Sequence, residues 1–152
     1  MKNSRIPIGE MISSGVVLIA SFMPWGSFKS TVRSPFGGGS QFSNIQITST
    51  INGWNGSLTL LGITIPNWLV VVVALAVTVM AVCRQLKNMN VPPLLSILFS
   101  AYGLVHCGVS VSILGTKGTL GIGSLLSLAG FVSLIILSIK ALSHNELVQP
   151  TS

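Results

Sequence analysis

The stretch PNWLVVVVALAVTVMAVC, residues 66–83, decides the fold class of this chain. It holds 18 residues without a charged side chain, and a proline opens it at the position that favours the first turn of a helix. Its many valines would favour a strand in a soluble protein. Because an uncharged apolar run of this length matches the hydrocarbon core of a bilayer, we predict a transmembrane helix.

Three further apolar stretches have a similar length. They cover residues 8–28, 92–115 and 120–142, and the second of them also begins with proline. Each is close to the roughly 20 helical residues that span a bilayer. We therefore predict an integral membrane, mainly α-helical protein. It is a four-transmembrane-helix bundle that forms a single membrane domain over residues 1–152, with a short polar tail at 143–152.

The composition agrees with this assignment. Hydrophobic residues make up 49% of the chain and charged residues 7%, and the mean hydropathy is +0.80. A soluble domain carries about 25% charged residues, so we expect the lipid bilayer to be the partner that covers this surface. The eight basic residues are scattered singly around the apolar runs instead of forming a patch, which predicts no nucleic-acid partner.

The basic residues also predict the orientation. With the N-terminus inside the cell, five Lys and Arg residues fall on the cytoplasmic side and three on the other side. The positive-inside rule therefore predicts both termini in the cytoplasm and an exported loop over residues 29–65. Glu10 interrupts the first apolar run and no small-residue cleavage motif follows it, so we expect a retained helix instead of a cleaved signal peptide.

Within the exported loop, one segment has the pattern of a strand. Ile45, Ile47 and Ile51 alternate with polar residues, and NGWNG follows at residues 52–56. This pattern predicts a small extracytoplasmic β-hairpin over about 43–63, between the first two helices, with NGWNG as its turn. The Gly-, Ser- and Pro-rich residues 29–40 are predicted to be irregular.

The three tryptophans receive different predictions. Trp25 and Trp68 lie at outer helix ends and are expected to be interface anchors of an aromatic belt. Trp54 lies in the NGWNG turn next to Gly53, where the belt does not explain it. Either Trp54 anchors the hairpin at the membrane surface, or it contacts a protein partner; ligand stacking is a third interpretation. The alternating isoleucines of the hairpin belong to the same contact surface.

Near the middle of the third helix lies His106, at a depth where ionisable residues are rare. Tyr102 and Ser110 share its face at spacings of four residues. Its main interpretations are a hydrogen-bonded packing residue between helices, or part of a polar path for a proton or ion that includes Tyr102 and Glu10. Metal or cofactor ligation is less favoured, because no second His, Asp or Glu is buried nearby in the sequence. Glu10 itself, one turn inside the first helix, is expected to reach Arg5 or water at the interface.

Small residues form a stripe along the third helix and a second set on the fourth. Small side chains let two helix backbones approach closely, so we predict tight packing between these two helices. The third-helix stripe is Ser96, Ser100, Gly103, Cys107 and Ser110, and the fourth-helix set is Gly123, Ser127, Gly130 and Ser133.

The sequence contains no recognisable catalytic motif. GTKGTLGIG, residues 115–123, lacks the order of a phosphate-binding loop, and neither G-x-S-x-G nor H-E-x-x-H occurs. Cys83 and Cys107 lie in or beside apolar runs without a C-x-x-C, which predicts neither a disulfide nor a zinc site. We therefore expect no enzyme activity, no cofactor and no metal.

Short motifs in the first half of the chain suggest a family likeness. Phe22, Pro24 and Trp25 follow the first apolar run, and Gly53 and Trp54 precede the second. The chain resembles small uncharacterised bacterial four-helix membrane proteins with Phe-x-Pro-Trp and Gly-Trp motifs. In plan it is similar to the claudin and peripheral-myelin type, although its loop lacks the cysteine pair of claudins. The resemblance implies four helices, a β-structured outer loop and the bacterial inner (plasma) membrane, but no barrier function.

These observations favour a non-enzymatic integral membrane scaffold, an accessory subunit or a self-assembling module that uses its extracytoplasmic loop for contacts. The expected protein partners are further copies of the chain in a homo-oligomer, or other membrane protein subunits. The alternative is a small transporter or channel component with a polar path around His106.

Overall fold

The computed structural model describes residues 5–33, 44–60, 63–86 and 91–146. Its main elements are four helices. Each helix packs antiparallel on the next, and the last returns to the first, so that the four close into one bundle. The helices are α1 (Arg5–Phe22), α2 (Trp68–Leu86), α3 (Pro93–Lys117) and α4 (Ile122–Glu146).

The outer surface of the bundle is apolar. Helices α2, α3 and α4 are long and apolar enough to cross a membrane, and α1 is a shorter apolar helix. Large hydrocarbon side chains point outward along all four helices, while small and polar residues occupy much of the interior. Exposed examples are Ile12, Ile19, Val79, Leu98, Val105, Leu125 and Ile136, and buried ones are Ser14, Ala20, Ala74, Ser100, Cys107 and Ser127.

The first helix is shorter at its C-terminal end than the sequence predicted. It ends at Phe22, because Pro24 disfavours helical backbone in the residue before it and cannot donate a helical hydrogen bond. The predicted range 8–28 therefore includes residues that belong to a strand. Likewise Pro66 ends a strand instead of opening α2, which begins at Trp68 and continues to Leu86.

The described residues include five short strands, which lie at the end of the bundle where α1 ends and α2 begins. We call this the sheet end. One strand pairs antiparallel with two others in the order β2-β1-β5, and the remaining two form a separate hairpin. The strands are β1 (Gly26–Arg33), β2 (Asn44–Ile51), β3 (Ser57–Leu60), β4 (Ile63–Pro66) and β5 (Thr119–Leu120).

The predicted pairing across NGWNG is wrong. Strand β2 pairs with β1, from Gly26 opposite Ile51 to Arg33 opposite Asn44, and β3 pairs with β4. The segment 29–40, which was predicted to be irregular, therefore begins inside strand β1. Its Gly- and Pro-rich part starts only after residue 33. NGWNG connects the β1/β2 pair to the β3/β4 hairpin. Its own contacts bend the chain towards the helices.

Candidate functional site

A buried polar cluster joins all four helices at the end of the bundle away from the sheet. Glu10 of α1 is fully buried, and Nη1 of Arg84 in α2 donates to its Oε1 at 3.3 Å. Ser138 of α4 donates to the same oxygen at 2.8 Å. Nη2 of Arg84 donates to Oγ of Ser96 in α3 at 2.6 Å. We call these four residues the four-helix cluster.

The charges of Glu10 and Arg84 compensate each other inside the bundle. Nη2 lies 3.0 Å from Oε2, an ion-pair contact that lacks hydrogen-bond geometry, and only 10% of the Arg84 side chain is exposed. A carboxylate at this depth needs a counter-charge, since burial of an isolated charge costs many kcal/mol. The hydrogen bond from Ser138 adds a donor to the carboxylate. The cluster therefore fixes the positions of the helices and leaves no free carboxylate facing water.

The prediction that Glu10 reaches water is wrong, because Glu10 is fully buried; the side chain of Arg5, the other predicted partner, lies outside the described part of the structure. Helix α2 continues past residue 83, so Arg84 lies on its last turns instead of in the connecting loop, and its guanidinium reaches α1. Because α1 and α2 run antiparallel, the beginning of one lies level with the end of the other. The local sequence favours a position at the membrane interface for each of the two charged side chains. In the fold, the two side chains meet inside the bundle.

At the sheet end, Asn67 forms a second polar network. This residue directly precedes α2 and is 2% exposed. Its Nδ2 donates to the backbone oxygens of Asn52 and Asn55, both at 3.1 Å, and its backbone N–H donates to Gly56 at 3.1 Å. Its Oδ1 lies 3.2 Å from Nε2 of His106. Asn67 therefore connects the turn to α3.

His106 is the donor to Asn67 in this network. Since Nδ2 of Asn67 donates to two carbonyls, Oδ1 is the acceptor and Nε2 of His106 carries the hydrogen. The ring is 3% exposed, and its Nδ1 has no hydrogen-bond partner among the described residues. The rings of Trp25 and Tyr102 lie around it, with centroids at 6.5 and 6.1 Å.

The sequence missed the partner that His106 uses. The two hydroxyl residues that share its helix face do not hold the imidazole: Ser110 donates to the backbone oxygen of His106 at 2.9 Å, and Tyr102 is 36% exposed. An Asn at the entrance of an apolar helix is a common capping residue, and this is the one signal in the sequence that points to Asn67.

The NGWNG turn is held on the end of α1. Oδ1 of Asn52 accepts from the backbone N–H groups of Trp54 and Asn55, both at 2.9 Å. The N–H of Gly53 donates to the backbone oxygen of Ser21 at 2.9 Å, and a Cβ on Gly53 would lie 2.7 Å from the Ser21 Cβ. Only glycine therefore fits at this close approach.

The predicted contact surface is only partly exposed. Gly53 is buried, and Ile51 packs against the hydrophobic core, so these two face inward. Ile45 and Ile47 lie in β2, but their side chains are outside the described part of the structure. Trp54 is 48% exposed, and its ring centroid lies 5.5 Å from that of Phe22.

Trp25 and Trp68 have opposite environments. Trp25 is completely buried in the core, and its Nε1 donates to the backbone oxygen of Ala20 at 3.2 Å. The interface position predicted for Trp25 is therefore wrong: α1 ends before it, and the chain turns inward. Trp68, at the first turn of α2, is 46% exposed.

The small residues pack in two directions. All five members of the α3 stripe are buried, and a Cβ on Gly103 would meet the ring of Phe131 in α4 at 2.3 Å. Gly123 and Gly130 of α4, however, face α1: Cβ atoms there would lie 2.8 Å from the Ala20 oxygen and 2.5 Å from Val17. The predicted packing between α3 and α4 is confirmed, but Gly123 and Gly130 do not form it, because α4 lies between α1 and α3 and these two glycines face α1.

Two serines inside the bundle lack partners. Ser100 and Ser127 are fully buried, and their hydroxyls form no hydrogen bond among the described residues. Ser133, the outermost member of the α4 set, is exposed and donates to Ala129. In the described ranges, no group of three His, Cys, Asp or Glu side chains is arranged to hold a metal ion.

No protein-family model, curated protein or solved structure matches this chain. The likeness to small bacterial four-helix membrane proteins and to the claudin type therefore stays a prediction from the motifs.

Proposed function

We propose that this chain is a non-enzymatic integral membrane protein that acts as a scaffold, an accessory subunit or a self-assembling module. The observation that carries this proposal is the use of its buried polar groups. Glu10 and Arg84 fasten the helices to one another, and Asn67 fastens the turn to His106. Side chains engaged in such contacts maintain a shape: the ion pair fixes the helices relative to one another, and Asn67 fixes the NGWNG turn relative to α3.

The proposed placement has all four helices across the membrane. Three helices are long and apolar enough, and α1 packs along α2 and α4 with a fully apolar outer face. We place both termini in the cytoplasm and the sheet end outside, as the basic residues suggest, and the bacterial inner membrane is the location that the motifs suggest. The outward residues of α1 are Ile8, Ile12, Val16, Ile19 and Phe22.

The proposed contact surface is the exposed part of the sheet end around Trp54. The ring of Trp54 packs at a tilt of 43° against Phe22, the last residue of the apolar outer face of α1. A half-exposed Trp in this position would contact a neighbour in the plane of the membrane, and Trp is enriched among residues that dominate binding energy. The neighbour in this proposal is a second copy of the chain or another membrane protein subunit.

Native mass spectrometry of the purified chain in detergent tests this proposal. We expect an assembly larger than one chain, and we expect Trp54→Ala to reduce it. Trp68→Ala is a matched control, because the two tryptophans are exposed to 48% and 46%, and it should leave the assembly intact. A stable monomer without co-purifying chains, or equal effects of both substitutions, would contradict the proposal.

A second candidate function is a small transporter or channel component. Nδ1 of His106 and the hydroxyls of Ser100 and Ser127 favour it, since they are buried and unpaired within the described residues. Such groups could bind a proton or a chain of water molecules. In this case His106→Ala would abolish a pH-dependent flux in liposomes while the bundle stays folded. That result would replace the scaffold proposal.

A further inference from the structure

One face of the three-stranded sheet carries hydroxyl and ammonium groups. Ser27 of β1 lies opposite Thr50 of β2 on one side and opposite Thr119 of β5 on the other. Residues directly opposite each other share a face of a sheet. Lys29, two residues along β1, lies on the same face opposite Thr48. All of these except the half-buried Ser27 are exposed.

A cleft of about 260 Å³ lies where this face meets the bundle. Ser27, Thr50 and Thr119 line it, together with Pro24 and Gly121. The hydroxyl oxygens of Ser27 and Thr119 are 2.7 Å apart, so two hydrogen-bonding oxygens converge at this wall of the cleft. The three hydroxyls come from three different strands, and the register of the sheet holds them in one row.

The opposite face of the sheet is turned towards the protein. Phe28 and Ile51 line a cavity of about 80 Å³ together with Leu58 and Leu114. Gly118, after the end of α3, lies so close to Phe28 that a Cβ there would be 3.1 Å from its ring. The hydroxyl and Lys29 face is therefore the one that is free to meet a ligand.

The sheet end carries charges of one sign, whereas the other end carries both signs. Its only acidic residues are Glu10, near the start of α1, and Glu146, at the end of α4, and both positions belong to the end away from the sheet. The sheet end has Lys29 and Arg33 on β1 and Lys117 at the end of α3, and the sequence contains no acidic residue between 10 and 146. Such a one-signed distribution attracts anions.

We infer that this cleft binds the phosphate group of an anionic ligand. One of the Ser27 and Thr119 hydroxyls donates to the other, so the pair offers one hydroxyl hydrogen to a phosphate oxygen, and Lys29 supplies the counter-charge. Hydroxyl and ammonium groups are among the donors that proteins use for phosphate. The phosphate belongs either to a phospholipid headgroup or to a free phosphate. The lipid source rests on the proposed membrane placement, in which the sheet end lies at the level of the headgroups.

The test is native mass spectrometry of the full-length chain, titrated in detergent with phosphatidylglycerol, phosphatidylcholine or inorganic phosphate. We expect phosphatidylglycerol to bind more tightly than phosphatidylcholine. Lys29→Gln should weaken this binding about fivefold, since one Lys near an anionic lipid contributes about that factor. The matched control is Lys140→Gln, an exposed Lys on α4 at the other end, which should change nothing. Ser27→Ala with Thr119→Val should also weaken binding.

The outcomes separate the two sources. If millimolar inorganic phosphate displaces the lipid, the site takes free phosphate as well; if it does not, the ligand is a headgroup. Equal binding by the original chain and Lys29→Gln, or an equal loss in Lys140→Gln, would overturn the inference. If Ser27→Ala and Thr119→Val disturb the pairing of β5, the result for Lys29→Gln alone decides the test. The Lys29 side chain is exposed, so we expect its replacement to leave the fold intact. The same spectra report the assembly, so a failed lipid site and a failed scaffold are distinguishable.

Discussion

Replacing the carboxylate of the four-helix cluster is the most direct perturbation of this fold. Glu10→Gln keeps the shape of the side chain and an oxygen that can accept from Ser138, but it removes the charge that faces Arg84. The guanidinium then stays in the bundle with only 10% of its side chain exposed and without a counter-charge. The variant therefore isolates the ion pair from the packing.

The expected loss follows from the geometry. Two unit charges 3.0 Å apart attract each other by about 5–6 kcal/mol at an effective dielectric constant of about 20. Desolvation offsets part of this, and removal of one partner of a buried pair typically costs about 3–5 kcal/mol. Glu10→Gln with Arg84→Gln removes both charges together. We expect the loss of unfolding free energy in this double variant to be smaller, by at least about 2 kcal/mol, than the sum of the losses in the two single variants.

The chain contains its own reporter for this measurement. Cys107 is fully buried in the bundle, so a thiol-reactive dye labels it only after unfolding. The half-buried Cys83 is replaced by Ala in every variant, including the reference. Titration with sodium dodecyl sulfate in mixed micelles then gives the free energy of unfolding. Lys140→Gln is the control for a charge change at an exposed position, with an expected effect within about 0.5 kcal/mol.

Either of two results would refute this account of the ion pair. If Glu10→Gln lowers the free energy of unfolding by less than about 1 kcal/mol, the charge of Glu10 contributes little to stability, as is usual for exposed ion pairs. A double variant that loses the full sum of the two single variants would mean that the two charges do not interact, whatever each contributes alone.

Two further predictions use the same unfolding assay. Asn67→Ala removes the donors to two turn carbonyls and the acceptor for His106, and it should cost about 2–4 kcal/mol; wild-type stability would contradict the role of this network. Gly103→Ala should cost about 1–3 kcal/mol, because its Cβ would lie 2.3 Å from the ring of Phe131. Gly108→Ala is the matched control, since a Cβ there would meet no atom within 4 Å; equal losses at the two glycines would contradict this packing.

The apolar helices could be predicted from the sequence because their signal is local. Length, absence of charge and flanking prolines determine where a long apolar helix can lie, and the described part of the chain contains three such helices. The end of α1 was missed although its signal is present in the sequence. Pro24 precedes a stretch with β-branched residues, and the apolar character of FMPWGSF concealed the boundary between Phe22 and the strand that begins at Gly26.

The strand pairing could not be predicted in this way, because pairing is not local. The alternation that identifies β2 is the same for a partner before it and a partner after it. Its pairing with β1 depends on contacts that the sequence does not display. The Gly53 N–H bonds Ser21 at the end of α1, and Asn67 bonds two carbonyls of the turn. These bonds hold NGWNG on the helices, where it cannot close a hairpin between β2 and β3.

The polar contacts have a particular importance if the bundle lies in lipid. Lipid chains are as apolar as Leu and Val, so exchanging lipid for a neighbouring helix gains little from the hydrophobic effect. Close packing and polar contacts must then select one arrangement of the helices. Small residues such as Gly103 and Gly130 let two helices approach closely. A stripe of small residues, however, also permits one helix to shift along the other by one turn. The ion pair of Glu10 and Arg84 at one end, and the bond between Asn67 and His106 at the other, each permit only one register.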